Sequence, residues 1–133
     1  MERNATNANQ KWQDVDGFVQ ACEVREGKRV LYCSGQLSVD ENGTPLHVGD
    51  MGGQLNAAMD NVEAVLKSAG YTLADIIRLK VYTTDIDQCL QNWEPVISRL
   101  KAGGCLPACS LFGITRLAWP EMMVEIEATA VAG

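Results

Sequence analysis

The run from Cys105 to Val131, CLPACSLFGITRLAWPEMMVEIEATAV, restricts the possible folds more than any other stretch. From Met122 onward it alternates strictly. Met122, Val124, Ile126, Ala128 and Ala130 fall on one side, and Met123, Glu125, Glu127, Thr129 and Val131 on the other. This is the pattern of a half-buried strand, because successive side chains of a strand point to opposite faces. The run before it, Ala108 to Leu117, is apolar on both sides and rich in branched residues, so it predicts a central strand. Between the two lies Ala118-Trp119-Pro120. Pro120 has no amide hydrogen to give to a ladder, so a turn is expected there.

Upstream, Phe18 to Val24 and Arg29 to Val39 read as two strands joined by a hairpin turn over Arg25 to Lys28. The second contains Val30-Leu31-Tyr32-Cys33 and is expected in a central position. It runs into Ser34-Gly35-Gln36. Glycine inside a strand gives up packing, and it often marks a bulge or the close approach of a ligand. Asn42-Gly43 is a two-residue turn signal, with Thr44 to Val48 as a short returning strand. Asp50 can cap a helix whose apolar stripe is Met51, Leu55, Ala58, Met59, Val62, Val65, Leu66 and Ala69, ending at Gly70.

Ile77, Leu79, Val81 and Thr83 then alternate with Arg78, Lys80, Tyr82 and Thr84 as another strand. A second helix starts at Asp85 or Asp87, carries Cys89, Leu90, Trp93, Val96, Ile97 and Leu100, and stops at Gly103-Gly104. Pro95 would break such a helix internally at about 3 kcal/mol, so the helix either kinks there or begins near Trp93. Trp93 reads as a core anchor. The order is strands, helix, strand, helix, two strands, with no repeat or linker. We expect one α+β domain over 1–133, two helices on one face of a mainly antiparallel sheet, and a loose arm over residues 1 to about 10.

The 133 residues carry a net charge of −6 and no basic cluster, which argues against nucleic acid as a partner. No apolar run is long enough to span a bilayer, and the polar N-terminus lacks a signal core, so no membrane is expected and the reading is cytoplasmic. The five cysteines, Cys22, Cys33, Cys89, Cys105 and Cys109, are odd in number and show no CxxC spacing. Reduced thiols are expected rather than a disulfide framework. With His47 the only histidine, neither a metal site nor a histidine-based triad is expected, and no cofactor is implied.

Pro107-Ala108, Arg116-Leu117 and Val124-Glu125-Ile126-Glu127-Ala128, with Ser34-Gly35-Gln36 upstream, resemble the two sequence markers of the RidA (YjgF) family. The resemblance covers roughly Gly17 to the end. It implies a fold related to chorismate mutase, a homotrimer with small-molecule clefts between subunits, and hydrolysis of reactive imines and enamines to ketones with release of ammonia. Glu125 matches the family's water-positioning glutamate. Ser34 and Gly35 match cleft-lining positions. Phe18 stands where relatives have tyrosine, Asn92 near a helix asparagine, and Leu111 where many relatives have a cysteine that can serve through its backbone carbonyl. The family's carboxylate-gripping arginine is replaced by Cys109.

A guanidinium gives a carboxylate two fixed, charge-assisted bonds, and a thiol gives neither. At roughly 1.5–3 kcal/mol per bond to a charged group, the loss weakens carboxylate binding about a hundredfold or more. Arg116, seven residues on, would face the other way in an unbroken strand. As a nucleophile Cys109 would need a lowered pKa, and nothing nearby in sequence supplies one, so a structural thiol is expected. The first functional reading is a deaminase of neutral imines or enamines, with Cys109 and Glu125 lining one cleft. The alternative is a non-catalytic trimeric metabolite-binding module. The third, RNA cleavage or translation inhibition, follows labels carried by some relatives.

Overall fold

The computed structural model describes residues 1–133, the side chain of Gln13 excepted, and sets the alternating C-terminal run at the centre of a sheet. In chain order the elements are β1 (Glu2–Thr6), α1 (Trp12–Asp16), β2 (Ala21–Arg25), β3 (Arg29–Tyr32), α2 (Met51–Ser68), β4 (Ile76–Thr83), α3 (Ile86–Gln91), α4 (Glu94–Ala102), β5 (Ala108–Gly113) and β6 (Val124–Ala132). A short 3-10 turn, Leu73–Asp75, leads into β4. The main sheet has the order β3-β6-β4-β5. Its β3/β6 and β6/β4 pairs are antiparallel, and β4/β5 is parallel. The class is therefore mixed α+β with a mainly antiparallel sheet, as the patterning implies.

Register settles which residues share a face. Leu79 of β4 lies between Cys109 of β5 and Ala128 of β6, and Val81 lies between Leu111 and Ile126. This inner face carries the main core, with Leu79, Val81, Val124 and Ile126 fully buried against Leu55, Ala58, Met59, Val62 and Leu66 of α2. Opposite it, Lys80 lies between Ser110 and Glu127, and Tyr82 between Phe112 and Glu125. A bulge between Ile76 and Arg78 makes Ile76, not the predicted Ile77, the buried residue at the start of β4.

The helix signals act as their chemistry implies. The Asp50 carboxylate accepts from Gly53 N at 3.0 Å, and Asp85 accepts from Gln88 N at 3.0 Å. The predicted second helix is two. It breaks at Asn92-Trp93, and Pro95 falls in the first turn of α4, where a missing amide hydrogen leaves no intrahelical bond unmade. Gln54 is a wholly buried polar residue of α2. It donates to the carbonyls of His47 and Glu121, both at 3.1 Å, and accepts from Met123 N at 2.7 Å. That side chain fastens the entry to β6 onto the helix layer.

Four strand expectations need correction. β5 and β3 are edge strands, not central ones. The outward apolar side of β5 is explained by Phe112, which stacks on Tyr82 at 5.3 Å between centroids, and the strand stops at Gly113 rather than Leu117. β3 stops at Tyr32, beyond which the chain rejoins the sheet at a single bridge from Gln36 to Ile126. β2 and β3 are not hairpin partners: β2 pairs with β1 and β3 with β6. Alternation identifies a strand but not its neighbour. The fourth concerns the N-terminal arm. Instead of being loose, Glu2–Thr6 forms β1, held by Arg3, which donates to the Ala74 carbonyl and to the Val131 carbonyl at 3.2 Å.

Candidate functional site

At the β5 edge the inner face opens into a concavity of about 360 Å³, lined by Trp12, Asp16, Phe18, Val81, Leu90, Trp93, Cys109 and Leu111. Its size lies in the usual range for small-molecule sites. β5 brings Cys109 and Leu111, and its paired strand β4 brings Val81. The α3–α4 break turns Trp93 inward, and the indole N–H donates to the Asp16 carbonyl at 3.5 Å. Trp12 meets Phe18 edge-to-face, with centroids 5.3 Å apart and the planes at 73°. Among the described residues the lining contains no lysine, arginine or histidine.

Burial pushes the Cys109 thiol up to about 11, partly opposed by the charge of Arg78 and reinforced by Cys89. Cys89 is likewise raised to about 11 by burial and then by Asp85. Both are neutral thiols at physiological pH, which fits a structural role for Cys109 rather than nucleophilic attack. Among the described residues no group of three or more His, Cys, Asp or Glu is gathered so as to hold a metal ion. No helix among them is long and apolar enough to cross a membrane.

Glu125 lies on the other side of the sheet. Its side chain rests on Gly35, where an added Cβ would fall 2.8 Å from Glu125 Cγ and closer still to the carboxylate. This explains the strand-terminal glycine: the close approach is that of a glutamate. The Gln36–Ile126 bridge, with hydrogen bonds of 2.7 and 3.0 Å, fixes Gly35 beside the acid. Burial raises the Glu125 pKa from the ordinary carboxylate range, and the neighbouring charge of Glu127 adds to the effect. Glu127 itself is paired with Lys80 at 3.6 Å. Ser34 is exposed next to Gly35.

The expected residues therefore divide. Phe18, Cys109 and Leu111 share the inner cleft, while Ser34, Gly35 and Glu125 gather on the outer face. The expectation that Cys109 and Glu125 line one cleft does not hold within one chain. They lie on different strands, so only the register across β4 could have compared their parities, and it sets them on opposite faces. Asn92 joins neither group. Its Nδ2 donates to the Gln88 carbonyl at 2.9 Å, and its Oδ1 lies against Gly52 of α2. The parity argument for Arg116 also lapses, because β5 ends before that residue. Sequence reasoning missed Trp12, Asp16, Val81 and Leu90 as lining residues, and Trp93, read as a core anchor, lines the cleft as well. The signal available was the cluster of aromatic residues around Gly17, outside any strong period.

A family model described as Endoribonuclease L-PSP matches residues 9–132. RutC family protein PH0854 of Pyrococcus horikoshii is 30% identical over 100 residues, covering 75% of this chain and 77% of that protein. Among solved structures, YyfB of the conserved Rid protein family from Yersinia pestis superposes with a TM-score of 0.86 at 31% identity, covering 99% of this chain and all of the other. The YjgF gene product of E. coli gives 0.71 at 26% identity, covering 98% and 94%. The nearly full-length match, the sheet order and the paired helices agree: the chain belongs to the Endoribonuclease L-PSP (RidA/YjgF) family.

Proposed function

We propose that this protein is a hydrolytic deaminase of reactive imines and enamines that carry no carboxylate, acting as a homotrimer with its clefts between subunits. The observation that carries the reading is the cleft at Cys109, which is walled by apolar and aromatic residues and contains no cation to hold an anionic substrate. The division of the candidate residues supports assembly. A cleft residue on one face and an acid on the other can serve one substrate only if a second chain brings its outer face to the cleft. That outer face leaves Val30, Tyr32 and Phe112 exposed, as a surface covered by another subunit would.

In this reading a water adds to the substrate's C=N carbon and gives a proton to Glu125 as the C–O bond forms. The proton then passes to nitrogen to give the carbinolamine; the hydroxyl proton next moves through Glu125 to nitrogen, the C–N bond breaks, and ketone and ammonia leave, with no net oxidation. Partial burial suits Glu125 to the task, since a raised pKa makes a carboxylate a better proton acceptor and a ready donor. A net charge of −6 favours a small-molecule substrate over RNA.

The test compares ketone release from an enzymatically generated imine lacking a carboxylate with keto-acid release from 2-aminoacrylate. The wild-type protein should accelerate the first and leave the second near background. Cys109→Arg should raise turnover of 2-aminoacrylate by about a hundredfold, the value of a bidentate anchor. Absence of turnover in both proteins on both substrates would instead identify a metabolite-binding module.

A further inference from the structure

The cleft does more than lack a cation. It gathers two of the three tryptophans in the chain, Trp12 and Trp93, with one of its two phenylalanines, Phe18, and a single ionisable acid, Asp16. The third tryptophan, Trp119, packs on the opposite side of the sheet with Leu37, Leu117 and Met122. Aromatic faces carry negative electrostatic potential, and they attract ammonium-type cations most strongly when water is excluded. The remaining walls, Val81, Leu90, Leu111 and the Cys109 thiol, are uncharged surfaces that favour an apolar substituent.

We propose that this cleft selects its substrate as an iminium cation bearing an apolar, ring-sized substituent, with Trp12, Phe18 and Trp93 forming the cation-selective wall and Asp16 the counter-charge that the cleft's own chain supplies. The proposal rests on the reading that the substrate binds in this cleft, and it names the class. An imine is activated towards water when protonated, so a wall that prefers the cation also selects the reactive form. A carboxylate on the substrate would face π-electron density and Asp16 with no compensating donor. Edge-to-face contact between Trp12 and Phe18, and the Trp93–Asp16 hydrogen bond, hold the rings in place before a ligand arrives.

The experiment measures binding of three unreactive probes to the full chain by calorimetry at neutral pH: phenethylammonium, 2-phenylethanol and phenylacetate. Phenethylammonium should bind at least about tenfold more tightly than either of the others. Trp12→Leu, at a position 57% exposed where folding tolerates the change, should cut that preference to about threefold or less. Trp93→Leu should do the same, with circular dichroism to confirm that the fold survives. Equal or tighter binding of phenylacetate, or a cation preference that persists in Trp12→Leu, overturns the assignment. The functional reading fails separately: a protein that prefers the cation but does not release ketone from a ring-bearing imine keeps the cleft assignment and loses the deaminase. Turnover of imines without a cation preference does the reverse.

Discussion

The two faces of the main sheet are made from the same four strands, β3, β6, β4 and β5, yet they differ in kind. The inner face is packed under α2 and opens at the β5 edge, where rings surround a neutral thiol. The outer face keeps Lys80, Glu125 and Glu127 partly exposed, with Gly35 pressed onto Glu125 and Tyr82 stacked on Phe112. Alternation along each strand built both faces at once. Under the proposed function, ligand grip and proton transfer would sit on opposite sides of one layer.

The largest expected effect tests whether the outer face is chemical. Glu125→Gln should lower kcat by about 10²–10⁴, the usual contribution of a positioned acid–base group. Gly35→Ala should approach the same loss without touching the glutamate, since the new methyl must displace its side chain. The folded state should persist, because Gly35 does not have a positive φ and the displaced group is flexible. Full activity in Gly35→Ala on a carboxylate-free imine would break the assignment of this face to proton transfer.

Next comes stability. Leu79→Ala on the inner face should cost about 2–5 kcal/mol in denaturant unfolding. Lys80→Ala, one residue along on the outer face, should stay within about 0.5 kcal/mol, because its ion pair with Glu127 is partly exposed. Comparable losses at the two positions would mean that the covering subunit of the proposed trimer encloses Lys80 as well. A third test lies where the faces meet. Gln54→Leu should cost about 1–3 kcal/mol, since it takes from the Met123 amide its hydrogen-bond acceptor and from the Glu121 carbonyl its side-chain donor, while the His47 carbonyl keeps its bond from Asp50 N at 3.0 Å.

Much of the fold was legible locally. The stripe from Met51 to Leu66, the Asp50 cap and the strict alternation after Met122 each follow from short-range periodicity, and each is present. Strand neighbours were not legible, because pairing is decided by tertiary contacts: β2 takes β1, and β3 takes β6, despite a turn between them that resembles a hairpin. The site was half legible. Gly35 and Glu125 were visible as motif residues, and their mutual contact supplies the physical reason for the glycine. The opposition of Cys109 and Glu125 was hidden, because parity within β5 and within β6 says nothing until β4 sets their register.

The smallest effect is the most specific. The pKa of Glu125 is raised in the folded chain by burial and by Glu127, so the folded state holds its proton to higher pH than the unfolded chain does. Stability contributed by that proton is present below the ordinary carboxylate range and lost as pH rises through the raised value. Glu125→Gln keeps the shape without the ionisation, so its melting temperature should exceed that of the wild type at pH 7 and fall level with it near pH 4. Lys80→Met frees Glu127 from its cation and should widen the gap at pH 7, because the repulsion on Glu125 then goes uncompensated. The inner face supplies the control. Cys109→Ser should show the same offset from wild type at both pH values, since its thiol, raised to about 11, carries no charge at either. A gap for Glu125→Gln that does not change between pH 4 and 7 would mean that the carboxylate is fully solvated, and the outer face would then lose the feature that distinguishes it as a site of proton transfer.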